Sequence, residues 1–281
     1  MPDYILGSEK QEHDRLRHQQ LVWGSYSYAA IERAFPVCDI KKEFHVADIG
    51  AGIGLTLPYM IEHFHIRNNK SSRLYALEPS KQSAKEIERI ISPDVKDQIK
   101  IVVESLQDAH KNNSIPQGSL DCIFIRWVLL YSNTVEQDLT QLVSWLKPGG
   151  KLVIQDYNHD SLRVFPTEPA FERMTKAVCD ALTKQKGDPH VATKIPQLFH
   201  HNANTQVESI ICNVQSGLNK SDIWEWFGSF CKAHSKTFIE VGVIDKSECE
   251  RFKHEWERMS EEDGKYLLFS PMVVDIIIKN L

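Results

Sequence analysis

The sequence predicts an α/β protein: a mostly parallel seven-stranded sheet with helices on both faces, an N-terminal helical cap, and helical insertions after the fifth and sixth strands. Three observations carry that expectation. Short β-branched and aromatic runs alternate with helix-period segments through residues 45–157, the order that builds β-α-β units. The chain has 281 residues, 42% of them hydrophobic and 25% charged, which suits one sizeable soluble core. A turn made almost wholly of glycine and alanine, in VADIGAGIG (46–54), joins the first strand to the first core helix.

The cap comes first: residues 8–35 read as one or two helices with Leu16, Trp23 and Ala30 along a common face. Strands are expected at HVADI (45–49), RLYALE (73–78), IKIVV (99–103), LDCIFIR (120–126) and KLVIQDY (151–157). Helices are expected from 55 (LTLPYMIEHF), from 80 (SKQSAKEIERII) and from 134 (TVEQDLTQLVSWL). The last carries Leu139, Leu142, Val143 and Leu146 at helical spacing and stops at Lys147-Pro148-Gly149-Gly150. Five such repeats make the fold Rossmann-like.

After the fifth strand, Asn158, Pro166, Pro169, Gly187 and Pro189 surround one helix, FERMTKAVCDALTK, which reads as an insertion over the carboxyl edge of the sheet. A helix near VATKIPQLFHHNA leads to a sixth strand, TQVESIICNVQ. An amphipathic segment rich in Trp224, Trp226, Phe227 and Phe230, a charged helix from Lys246 to Glu262 and a last strand, PMVVDIIIKN, follow. No repeat, linker or composition break divides the chain. It reads as one domain over 1–281, with a cap at 1–40, a core at 45–157, lid or substrate insertions at 158–200 and 217–265, and a last strand at 270–281.

Bulk properties narrow the partners. A net charge of -5 gives no general attraction to nucleic acid, and no apolar run is long enough to span a bilayer. The opening residues carry acids early and lack the apolar stretch of a signal peptide. Six cysteines without a C-x-x-C pair suit reduced, packed thiols. The expectation is a cytoplasmic protein, monomer or homodimer, acting on a small molecule, with neither nucleic acid nor membrane as partner.

The glycine turn limits what is bound. A dinucleotide fingerprint, G-x-G-x-x-G, needs a third glycine where this chain has Leu55; the extra glycine, Gly54, comes one residue early. A Walker loop is absent. Glycines still let backbone approach a ligand, and unpaired N–H groups at a helix start suit a carboxylate as well as a phosphate. Asp48, just before the turn, would repel a pyrophosphate but suits an ammonium group. A zwitterionic amino-acid moiety satisfies both.

VADIGAGIG resembles motif I of class I S-adenosylmethionine-dependent methyltransferases, and LYALEPS, LDCIFIRWVLLY and LKPGGKLVIQD are similar to that family's later segments. The resemblance is strong over residues 45–157. It implies S-adenosylmethionine as cofactor, held by Asp48, Gly50, Ala51 and Gly52 at the turn, with Glu78 accepting both ribose hydroxyl protons beside Pro79. After the third strand the family often has an acid that reads the adenine amino group; VVESLQD places Ser105 there, with Glu104 beside it and a backbone contact open at Leu106. Arg126 and Trp127 fall where they could line the sulfur region, or simply pack and pair.

The run YILGSEKQEHDRLRHQ resembles the opening of the small-molecule branch related to the ubiquinone and menaquinone biosynthesis type, with a Y-x-L-G start and an E-x-x-R-L-x-x-Q helix. That would bring Tyr4 and Gln19 to the methionine end. KGDPHVATKIPQLFHHNAN resembles another segment of that branch, with Lys194-Ile195 where arginine and leucine are commoner.

At the end of the fifth strand, Tyr157 and Asn158 are candidate substrate contacts, and His159 or His190 a candidate general base. The plainer reading of either histidine is a surface residue. Asp156 and Asp160 are too few oxygen ligands for a metal, so none is expected. The aromatic cluster from Trp224 reads as lid core rather than a stacking site. The D/N-P-P-aromatic motif of nucleic-acid amino-methyltransferases is absent from IRWVLLY. The reading is therefore methyl transfer to a small organic metabolite on an O, N or C atom. A non-catalytic cofactor-binding module and, less favoured, a nicotinamide-dependent oxidoreductase stand as alternatives.

Overall fold

The computed structural model describes residues 9–200 and 202–281. In chain order it runs α1 (Glu9–Ala34), β1 (His45–Ile49), α2 (Leu57–His63), β2 (Arg73–Leu77), α3 (Lys81–Ile90), β3 (Ile99–Val102), α4 (Leu106–Lys111), β4 (Leu120–Arg126), α5 (Val135–Trp145) and β5 (Leu146–Asn158). Then follow β6 (Arg163–Phe165), α6 (Pro169–Lys184), α7 (Val191–Phe199), β7 (Thr205–Asn213), β8 (Ser216–Leu218), α8 (Asp222–Glu240), α9 (Lys246–Glu261), β9 (Leu267–Phe269) and β10 (Met272–Asn280).

Seven strands form the main sheet in the order β3-β2-β1-β4-β5-β10-β7. The first five pair in parallel, while β10 runs antiparallel between β5 and β7. The mostly parallel sheet predicted from the sequence is the one observed. Its strand order reverses between β1 and β4, and open α/β sheets bind ligands in the crevice at such a switch point, beyond the carboxyl ends of the strands.

Both faces are covered, so the central strands are buried almost throughout. Alternate side chains of β4 serve two cores: Cys122 and Phe124 pack with Val46, Leu57, Met60 and Phe64, while Ile123 and Ile125 pack with Trp23, Leu142 and Trp145 on the other side. Helix starts are fixed locally. Ser80 caps α3 by accepting from the Ser83 amide, and Asp245 and Glu248 form a reciprocal capping box on α9.

The cap is a single helix rather than two. Its second half is tied to the sheet by a buried polar chain: Ser27 Oγ donates to Gln155 Oε1 at 2.6 Å, Gln155 Nε2 donates to Asp275 Oδ1 at 2.7 Å, and Arg33 pairs with Asp275. Three features differ from the expectation. The strand β5 begins at Leu146, so Lys147-Pro148-Gly149-Gly150 forms an irregular strand entry, not a loop; pairing with β4 skips from Leu146 to Lys151 while Gly149 takes φ +80. A small sheet, β6-β9-β8, joins the two insertions. Strands of three residues are too short to show a period. The helix α4 is also new, and it opens on Ser105.

Candidate active site

The turn after β1 is bound to β2 before any ligand is considered. The amides of Gly50 and Ala51 both donate to the Leu77 carbonyl, at 2.8 and 3.0 Å. Gly50 lies at φ +71, and a Cβ there would stand 2.3 Å from Val128 Cγ2. A side chain is thus excluded twice, by backbone strain and by Val128, two residues past the end of β4. Gly54, the early third glycine, has φ +81 and packs on α3, where a Cβ would meet Ile90 Cδ1 at 2.9 Å.

Glu78 follows β2 and reaches across to the turn: Oε2 accepts from Gly52 N and Oε1 from Ser80 N, both at 2.8 Å. Each oxygen keeps a further lone pair. Burial pushes the carboxyl up to about 7, against those two donors, with Asp48 and Glu12 adding to the rise. Asp48 lies beneath the turn, 3% exposed, with Oδ2 unpartnered. Burial raises it to about 7, and the Arg126 guanidinium opposes that rise.

Arg126 ends β4 and is fixed by Ser27 Oγ at 2.7 Å and Gln20 Oε1 at 2.8 Å. Its guanidinium lies 4.5 Å over the Trp127 ring. Trp127 has φ 54, an outlier for a bulky residue, and its indole stacks on Tyr157 with centroids 5.2 Å apart. Tyr157 in turn accepts from Gln19 Nε2 at 3.2 Å. Gln19 accepts from Arg15 Nη1 at 2.6 Å, and Arg15 is clasped by Glu12 through Nε at 2.7 Å and Nη2 at 2.6 Å.

These groups enclose one cavity of about 390 Å³ along the carboxyl edge. Of the residues expected at the cofactor, Gln19, Gly50, Ala51, Gly52, Glu78 and Pro79 line it, as do Arg126 and Trp127. Tyr157 and His159 line the β5 end. Glu12, Arg15 and Leu16 of α1 and Trp226, Phe227 and Phe230 of α8 close it over. The aromatic cluster of α8 therefore divides. Trp224 is core, stacked on Trp256 at 4.0 Å, while its three companions face the cavity rather than serving as lid core alone.

Several expected residues are not on the lining. Ser105 spends its hydroxyl capping α4, accepting from Asp108 N at 3.0 Å and donating to Asp108 Oδ2 at 2.7 Å, and Leu106 is packed in the core. Asn158 braces its own loop through Asp160 N at 2.8 Å and Thr193 Oγ1 at 3.2 Å. His190 caps no ligand site; its Nδ1 lies 3.3 Å from Asp160 Oδ1. Tyr4 lies outside the described residues. Asp156 accepts from the amides of Leu129, Leu130 and Tyr157, at 3.0, 3.2 and 2.9 Å, so its carboxylate holds the β4–α5 loop.

Glu12 and Arg15 were missed by sequence reasoning, although the signal was present. In E-x-x-R-L-x-x-Q the glutamate, arginine and glutamine stand three and four apart, the spacing that places them on one face of a helix. Only the glutamine was taken as a site residue.

A family model described as a methyltransferase domain matches residues 47–152, from β1 into β5. The chain carries a methyltransferase domain. Searching the curated proteins gave no match. Among solved structures, this methyltransferase is similar to geranyl diphosphate C-methyltransferase from Streptomyces coelicolor A3(2), at 12% identity and TM-score 0.55, covering 100% of this chain and 88% of that one. A putative methyltransferase from Bacillus halodurans aligns at 11% identity and TM-score 0.54, over 88% of this chain and 96% of that one. Phosphoethanolamine N-methyltransferase 2 from Haemonchus contortus aligns at 13% identity and TM-score 0.52, over 91% of this chain and 52% of that one. At such identities the likeness is one of fold. No helix among the described residues of this methyltransferase is long and apolar enough to cross a membrane.

Proposed function

We propose that this methyltransferase takes its methyl group from S-adenosylmethionine and passes it to a small organic acceptor held in the same cavity. The observation that carries this is Glu78, whose two oxygens are fixed on Gly52 N and Ser80 N at 2.8 Å, each with a lone pair left for a ribose hydroxyl. Solved neighbours of the same fold were crystallised with S-adenosylhomocysteine or S-adenosylmethionine, which supports the choice of donor.

The residues divide the work along the sheet. Glu78 and Pro79 take the nucleoside, and Gly50, Ala51 and Gly52 let the backbone pass close to the amino-acid part. Arg15 has five N–H groups, three of them engaged by Glu12 and Gln19, so two are left for the methionine carboxylate. Glu12 lines the cavity and suits its ammonium group; Asp48, expected there too, is not on the lining and adds negative charge from beneath the turn. When bound, the donor supplies a sulfonium methyl for in-line displacement. The faces of Trp127 and Tyr157 favour positive charge near the sulfur, and enclosure fixes the acceptor in line, so positioning supplies most of the rate.

The E-x-x-R-L-x-x-Q helix covering the cavity supports kinship with the ubiquinone and menaquinone type enzymes. Six free cysteines, three of them buried, support a reducing, cytosolic setting, which fractionation of the expressed protein tests. Calorimetric titration with S-adenosylmethionine, S-adenosylhomocysteine and NADH tests the donor. The first two are expected to bind and NADH is not. Failure of both S-adenosyl compounds to bind sinks the proposal, and binding without turnover on any acceptor leaves a non-catalytic module.

A further inference from the structure

Beyond the two rings that face the donor sulfur, the β5 end of the cavity has groups that donor binding does not use: His159, Trp226, Phe227 and Phe230. Its walls are rings: Trp127 stacks on Tyr157 at an interplanar angle of 14°, and Trp226 lies 6.4 Å from the same tyrosine. Phe227 and Phe230 complete that side. Flat walls of this kind favour a flat ligand, through offset and edge contacts between rings.

One nitrogen ring is set among them. His159 is buried, lines the cavity and lies 5.4 Å from the Tyr157 ring. Its Nδ1 is 2.8 Å from the Pro189 carbonyl, and a carbonyl only accepts, so Nδ1 carries the proton. Nε2 is left as a lone pair with no protein donor among the described residues. Burial lowers this imidazole to about 4, which keeps it neutral. At neutral pH it is a hydrogen-bond acceptor and a weak base.

Charge gives an independent constraint. The permanent cations on the lining are Arg15 and Arg126. Arg15 is clasped by Glu12, and Arg126 is held on Ser27 and Gln20 beside Asp48. Once Arg15 holds the methionine carboxylate of the donor, and with Arg126 facing Asp48, neither offers a further charge to a phosphate or carboxylate on the acceptor.

We propose that the β5 end of the cavity binds an uncharged, flat aromatic acceptor whose hydroxyl or N–H group donates a hydrogen bond to Nε2 of His159. This rests on the methyl-transfer reading of the same cavity. The aromatic walls supply affinity, the bond to His159 sets which ring edge faces the donor, and the lack of free positive charge rejects anions.

The test uses the full chain saturated with S-adenosylhomocysteine, whose own binding is measured first. Calorimetric titrations with 2-naphthol, naphthalene and 2-naphthoate then compare one ring system with a donor, with none and with a negative charge. We expect 2-naphthol to bind about tenfold more tightly than naphthalene, the worth of one hydrogen bond to a buried neutral acceptor, with 2-naphthoate weakest. In His159→Phe, with S-adenosylhomocysteine binding retained as the check on folding, the advantage of 2-naphthol disappears; His159→Gln, which keeps an acceptor oxygen, retains part of it. Equal binding of the naphthol and the naphthoate, no binding of 2-naphthol, or an undiminished preference in His159→Phe overturns the inference while the donor reading stands. Loss of S-adenosylhomocysteine binding in the wild-type chain overturns both.

Discussion

The β2–β1 end of the cavity works through main chain, and the β5 end works through side chains. At the first, the amides of Gly50, Ala51, Gly52 and Ser80 are all committed within one short stretch of sheet edge, to Leu77 or Glu78. At the second, Gln19, Trp127, Tyr157, His159 and Trp226 converge from α1, the ends of β4 and β5, and α8. A backbone-built end tolerates little change in conformation but is indifferent to most neighbouring side chains. A side-chain-built end has the reverse sensitivity: exchanging a ring alters what fits while the strands stay in place.

That contrast can be broken most sharply at Glu78. Glu78→Ala removes the ribose acceptors and leaves two amides unpaired; donor affinity is expected to fall about 100-fold, from charged hydrogen bonds of roughly 1.5–3 kcal/mol each. Calorimetry reads the loss, and a change under threefold would move the ribose elsewhere.

Next in size is the response to pH. Burial raises Asp48 and Glu78 to about 7, so the folded, ligand-free protein holds protons that the unfolded chain releases near 4. The stability these protons contribute is present below the unfolded value and is lost as pH rises through 7. A net cationic donor prefers both groups ionised, so its affinity should climb several-fold between pH 5.5 and 7.5 and then level. Asp48→Asn should flatten part of that climb; an unchanged profile in the variant would assign it to other groups.

The smallest effect is expected at Ser105. Its hydroxyl is spent on the cap of α4, so Ser105→Ala should cost about 1 kcal/mol in denaturant unfolding and leave donor affinity within twofold. A large loss of affinity with intact stability would return the adenine to that side chain.

The same contrast explains how much could be read in advance. Strand positions, the mostly parallel sheet and the glycine turn follow from period, glycine spacing and the alternation of strands with helices, all local signals. The Glu12–Arg15–Gln19–Tyr157 chain spans α1 and β5, and no local pattern states that these elements meet. Trp226 and Trp224 look alike in sequence; two positions apart on a helix, they point to different faces, one to the cavity and one to Trp256. Ser105 held the right place for an adenine contact, but an N-cap could be recognised only once the helix after it was known. The strands β6, β8 and β9 leave no period to detect.

The helix α1 is fastened unevenly. From Gln20 onward it is held by Arg126, by the Ser27–Gln155 bond, and by Lys151 Nζ on the Ala34 carbonyl at 2.9 Å. The turns bearing Glu12, Arg15 and Leu16 reach the sheet through Gln19 and its 3.2 Å contact with Tyr157. We expect the helix to open as a hinged leaf, its far half fixed and its near half forming the door over the methionine end. Spent donor would then leave by parting those first turns, with the core undisturbed. Hydrogen exchange should find amides 12–19 opening faster than amides 25–34, the gap narrowing when S-adenosylhomocysteine is bound; uniform protection along α1 would put the exit elsewhere.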